Sequence, residues 1–197
     1  MVIDMKTFSY LWRWGGAVVF AFLMVFLTFT YVLQFESFQG AGMAPNLKNR
    51  DTLVVWRMAK VKRLSVIALD AQSEVPGSKA HSTFVKRVIG VPGDRIISRN
   101  GQIYVNGKQL DQSFLSGDQR NQTGNWTLKS LGKQIGSSSA VVPKGKYFVL
   151  SDDRSTSHAE DSRDWGYVSA KNVVGVAKLV FWDGTNEQRQ RINQLAN

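Results

Sequence analysis

One stretch limits the fold before any other: Gly15 to Leu33, GGAVVFAFLMVFLTFTYVL, 19 residues without a charge. As a helix rising about 1.5 Å per residue it reaches roughly 28 Å, enough to cross the hydrocarbon core of a bilayer. Trp12, Trp14 and Tyr31 stand where an interfacial aromatic belt would lie. Lys6 and Arg13 favour a cytoplasmic N-terminus, against a modest opposing charge from Lys48 and Arg50. The competing reading is a cleavable signal peptide with Gly40-Ala41-Gly42 as its small-residue site. That reading needs an apolar core of about 7–15 residues, shorter than this run. The expected layout is a cytoplasmic N-terminus at 1–14, an uncleaved transmembrane anchor at 15–33, an extracytoplasmic β domain at 34–183 and a polar tail at 184–197. The protein is then single-pass in the cell membrane, with its domain on the outer face.

Beyond the anchor the patterning is that of strands. Gln34 to Leu47 reads as a shaped loop at the membrane surface, with Gly40, Gly42 and Pro45. Short apolar runs at Asp51–Trp56, Ser65–Leu69, His81–Ile89 and Tyr147–Leu150 read as strands, and Val173–Trp182 as a final strand pair. Asn100-Gly101 and Asn106-Gly107 are type I′ turn dipeptides and predict a small meander over 95–110. Residues 111–140 are polar and predict an irregular insertion of low order, with Trp126 and Leu128 as anchors. The fold class expected is mostly β: one N-terminal transmembrane helix, then an antiparallel sheet that curls into a partial barrel to hide its edges.

Composition removes several kinds of chemistry. The chain has no cysteine, so no disulfide, thiol nucleophile or cysteine metal site is open to it. His81 and His158 are its two histidines, too few for most zinc sites, so neither a metal nor a cofactor is expected. Net charge is +10, yet no aromatic-interleaved basic stripe marks a nucleic-acid surface. The lipid bilayer is the better partner. Arg57, Lys60, Lys62 and Arg63 read as a solvated basic face.

Chemistry concentrates in Phe84-Val85-Lys86-Arg87-Val88-Ile89-Gly90-Val91-Pro92-Gly93-Asp94. A lysine held in such an apolar strand loses hydration, and its pKa falls toward the range of a working base. The plainer alternative is a lysine that snorkels from a strand edge to water.

Three stretches belong together: GAGMAPNL after the anchor, FVKRVIGVPGD on a strand, and SDDRSTSHAEDSRDWG near the C-terminal end. In this order and spacing they resemble the type I signal peptidases of bacteria, the membrane-bound Ser-Lys proteases that cut signal peptides from exported proteins. The resemblance runs from residue 12 to about 182. The single span, the short insertion and Gly40 look like the Gram-positive form. The family's first motif, G-x-S-M-x-P-T-L, reads here Gly40-Ala41-Gly42-Met43-Ala44-Pro45-Asn46-Leu47, so glycine stands where the nucleophilic serine belongs. Lys86 matches the general-base lysine. The third motif, G-D-[ND]-R-x-x-S-x-D-S-R, appears as Ser151-Asp152-Asp153-Arg154, then Ser157, then Asp161-Ser162-Arg163, with two extra residues before Asp161.

The resemblance implies roles residue by residue. Ser157 would hydrogen-bond the lysine, and Asp161 and Arg163 would brace the site, with Asp153 and Arg154 beside them. Taken alone, Asp161 and Arg163 are a loop ion pair, and the two readings are compatible. Gly40, Met43, Pro45, Phe84 and Val85 would bind an extended peptide, and the backbone N–H of residue 42 would serve an oxyanion hole. Glycine supplies no attacking oxygen, and losing a serine nucleophile costs a protease about 10⁶ in turnover. The expectation is a pseudoenzyme that binds exported preproteins or signal-peptide segments, accessory to secretion or to pilus and surface-protein assembly. Two alternatives stand beside it. One is an active signal peptidase, with an unrecognised nucleophile or with Gly42 as an engineered substitution. The other is a non-proteolytic membrane scaffold.

Overall fold

A computed structural model of the chain describes residues 5–72, 74–75, 77–78, 82–132, 137–155 and 160–181. The chain divides into two compact units, Met1–Gln34 and Phe35–Asn197. The first holds helix α1, Met5–Tyr31. Its window Trp14–Tyr31 has mean hydropathy 1.8 and none of it is buried, and by length and composition it can cross a membrane. The hydroxyls of Thr28 and Thr30 donate to the carbonyls of Met24 and Phe26, so neither is left unpaired on the apolar surface. The helix stops at Tyr31, two residues short of the expected anchor end. Leu33 opens a strand instead, β1 (Leu33–Ser37), in a stretch expected to be loop.

The strands that follow form two sheets. They are β2 (Thr52–Trp56), β3 (Val66–Asp70), β4 (Thr83–Gly90), β5 (Ile96–Arg99), β6 (Gln102–Val105), β7 (Lys108–Gln109), β8 (Trp126–Thr127), β9 (Lys146–Leu150), β10 (Val168–Ser169) and β11 (Val173–Phe181). The larger sheet has the order β1-β2-β11-β3-β4-β9-β10, and the smaller β7-β6-β5-β8. The larger sheet curls as a half-barrel. The architecture is mostly β, as the strand patterning implied. The meander is also as read: Asn100, Gly101, Asn106 and Gly107 all have positive φ, which the I′ turns of β5–β6 and β6–β7 require.

Two expectations fail here. Residues 173–181 are one strand, not a pair, and β11 lies between β2 and β3 and pairs with both. Register shifts at Val173/Gly175 and Ala177/Leu179 let it bend from one partner to the other. A side chain at Gly175 would meet the Trp56 carbonyl at 2.7 Å, so glycine is what permits the close approach of β11 and β2. The 111–140 segment is also more ordered than its polarity suggested. Helices α2 (Gly117–Asn121) and α3 (Leu128–Leu131) each start in a reciprocal capping box, Ser116 with Gln119 and Thr127 with Ser130. Polar residues here close helix ends while remaining at the surface. Trp126 and Leu128 are buried beside Ile96, Ile103 and Phe148, and so join the smaller sheet to the larger. The tail at 184–197 lies outside the described residues.

Candidate active site

The site is built on β4. Val85, Val88 and Ile89 are buried, and Lys86 sits among them at 5% exposure. At that exposure the side chain does not snorkel out to bulk solvent. Burial pushes the Lys86 amine below the ordinary lysine value. The carboxylates of Asp161 and Glu160 pull it back up, Arg163 lowers it, and Asp164 raises it. The Lys86 Nζ donates to Ser151 Oγ at 2.7 Å and lies 5.6 Å from the centre of the Phe84 ring.

A cleft of about 230 Å³ opens beside this amine, lined by Phe38, Gln39, Gly40, Ala41, Gly42, Phe84, Val85, Lys86 and Glu160. Gly40, Gly42, Phe84, Val85 and Lys86 thus come together from two distant parts of the sequence. Met43 does not join them: it is fully buried in the core with Leu47, Leu53 and Val55, where its apolar side chain packs. Pro45 does not line the cleft either; it follows a cis peptide bond after Ala44 and faces solvent. The first loop is tied to the third motif by the Asp153 N–H, which donates to the Gly42 carbonyl at 3.0 Å.

Residues of the third motif are bonded to one another beside the lysine. Arg163 donates twice to Asp161, from Nε to Oδ1 at 3.0 Å and from Nη2 to Oδ2 at 2.9 Å. Asp161 in turn accepts the Ser151 N–H at 3.1 Å and caps the short helix α4, Ser162–Trp165. Arg163 Nη1 also donates to the Arg154 carbonyl. Arg154 is fully buried, and burial pushes it down to about 10 against the raising fields of Asp152 and Asp161. Its Nη1 donates to Thr123 Oγ1 at 3.3 Å, anchoring the third motif to the 111–140 segment. Ser157, expected to contact the lysine, lies outside the described residues, as do His81 and His158. Among the described residues no cluster of histidine, aspartate and glutamate could hold a metal.

The family described as signal peptidase, peptidase S26, matches residues 11–182. The chain belongs to the signal peptidase family. Signal peptidase IB of Staphylococcus aureus is 30% identical over 179 residues, covering 86% of this chain and 88% of that protein. Signal peptidase I P of Bacillus subtilis subsp. natto is 33% identical over 181 residues, with the same shares covered. A solved signal peptidase I from Enterococcus faecalis V583 overlaps 59% of this chain and 96% of its own, at 33% identity and a TM-score of 0.49.

Within this signal peptidase fold, three site features were not read from the sequence. Ser151 stands where the family motif has glycine, and its contact with Lys86 follows from strand register. β4 and β9 pair Arg87 with Leu150, and one step further sets Lys86 across from Ser151. Glu160 is the one carboxylate lining the cleft among the described residues. Arg87 makes a second, wholly buried ion pair with Asp152 directly behind the lysine. A lysine-arginine pair in a strand signals that the two side chains point to opposite faces, but not what each meets.

Proposed function

We propose that the protein binds extended segments of exported preproteins, signal peptides above all, at this cleft and does not cut them efficiently. The observation carrying the proposal is Gly42, which lines the cleft beside a buried, deprotonation-prone Lys86 and offers no hydroxyl. In a Ser-Lys peptidase the neutral amine takes the serine proton as Oγ attacks the scissile carbonyl. The amide C–N bond then breaks, the proton goes to the leaving amine, and water releases the acyl group. Gly42 removes the first participant and leaves the backbone N–H of residue 42 for an oxyanion.

Binding is supported by the edge of β4. β3 pairs with it from Thr83 to Arg87, whereas β9 pairs only from Arg87 onward. Over Phe84–Val85, β9 therefore does not cover the edge, and an extended peptide can add there as a strand with small side chains in the cleft. Helix α1 would hold the domain on the outer face of the cell membrane, where exported chains emerge. The role that fits is accessory, in secretion or in surface-protein and pilus assembly.

The active-peptidase reading keeps one supporting observation: Lys86 is still present and still depressed. The test is cleavage of a signal-peptide-bearing preprotein by the detergent-solubilised chain, beside Gly42→Ser and Gly42→Ser/Lys86→Ala. Cutting by Gly42→Ser alone is the expected result. Cutting by the unaltered chain, dependent on Lys86, overturns the proposal. No cutting by any, with no binding of a synthetic signal peptide, favours the scaffold reading.

A further inference from the structure

We propose that Ser151 is the positioning residue of the Lys86 amine, holding Nζ across the β4–β9 register and held in turn by the Asp161–Arg163 pair. The inference rests on reading Lys86 as the base of the site. Nζ and Oγ are 2.7 Å apart, and Lys86 and Ser151 are 5% and 0% exposed. The 161–163 segment clamps the end of β9 at two points: Ser162 Oγ accepts the Val149 N–H at 2.9 Å, and Asp161 accepts the Ser151 N–H at 3.1 Å. The serine backbone is therefore fixed before its hydroxyl reaches the lysine.

A hydroxyl so close to a lysine invites comparison with a nucleophile. Burial rules against it: Ser151 is not among the residues lining the cleft, so a scissile carbonyl cannot reach its oxygen. What the hydroxyl does is select a rotamer and partly solvate the amine. It accepts from the ammonium and can donate to the neutral amine. The charge-assisted bond is about twice as strong, so the hydroxyl favours the charged form. Ser151 thus keeps a buried base from becoming too acidic to take a proton.

The test follows the Lys86 resonance by NMR in the full chain in detergent, labelled on the lysine ε-carbon and ζ-nitrogen and assigned with Lys86→Arg. Ser151→Ala and Ser151→Gly both keep the backbone bond to Asp161, and both should lower the Lys86 titration midpoint by about one pH unit. An unchanged or raised midpoint overturns the inference. In the unaltered chain the Lys86 ammonium should be ordered, unlike exposed lysines. A freely rotating ammonium overturns the inference even if the variants fail to fold. In the Gly42→Ser background the acidic limb of the pH–rate profile should move down with the midpoint. If Gly42→Ser neither cuts nor binds a synthetic signal peptide while the midpoint still shifts, the functional proposal falls and the positioning role stands.

Discussion

The Arg87 guanidinium meets the Asp152 carboxylate through two bonds, Nε to Oδ1 at 2.7 Å and Nη2 to Oδ2 at 2.6 Å, with both side chains wholly buried. The same guanidinium lies 4.0 Å from the Phe114 ring centre and donates to the Leu64 carbonyl. One ion pair therefore joins β4, the third motif and the 111–140 segment. Removing one partner leaves the other charge buried without its counter-ion. Asp152→Ala should destabilise the fold by about 3–5 kcal/mol, and Arg87→Met/Asp152→Leu by much less than either single change. Thermal and denaturant unfolding of the full chain in detergent checks both.

Asn46 stands where the family motif has threonine, and it reaches further than threonine can. Its Nδ2 donates to Asp152 Oδ2 at 2.8 Å and to the Phe114 carbonyl at 3.1 Å. A threonine hydroxyl has one proton to give. Asn46→Thr should cost about 1–2 kcal/mol by stranding one buried acceptor, read in the same unfolding experiment.

Two glycines distinguish soft from hard neighbours. A Cβ at Gly90 would meet the Ile96 Cδ1 at 2.3 Å, the end of a side chain that can turn aside. At Gly175 it would meet backbone, the Trp56 carbonyl at 2.7 Å and the Arg57 Cα at 2.9 Å. Gly90→Ala should cost about 1–3 kcal/mol by overpacking, and Gly175→Ala more, because β11 must lift from β2. Equal losses for the two would contradict this packing account.

Asp94 sets an acid-side limit on stability. Burial pushes its carboxyl up, but bonds from Arg63, the Val91 N–H and Asn106 outweigh that and hold it below the usual carboxylate range. A depressed carboxyl binds fewer protons folded than unfolded. Its stabilisation is complete above the unfolded pKa of about 4 and disappears as pH falls through the folded value. Asp94→Asn should flatten that part of the stability–pH curve, measured by unfolding between neutral and acidic pH.

The parts legible in the sequence were those that neighbouring residues decide. Asn100-Gly101 and Asn106-Gly107 specify their turns by their own dihedral needs, and the apolar run specifies α1. Residues whose surroundings come from far along the chain were not legible. Arg63 read as part of a solvated face, yet it pairs with Asp94, 31 residues on. Ser151 reads only as the first residue of the third motif, and it is register that places it across from Lys86. The polar composition of 111–140 suggested disorder because cap residues and loop residues are the same amino acids. Only the partner three positions on tells them apart.

The position of β11 has a consequence for how the molecule is made. β2 and β3 follow one another in the chain, yet the strand that bridges them is the last one described, more than a hundred residues later. Up to residue 172 the chain holds β1 and β2 on one side and β3, β4, β9 and β10 on the other, without the strand that joins them in the finished sheet. The sheet that carries both β2 and β4 is therefore continuous only once residues 173–181 have paired with β2 and β3, which makes the cleft proposed to take an extended peptide a late product of folding.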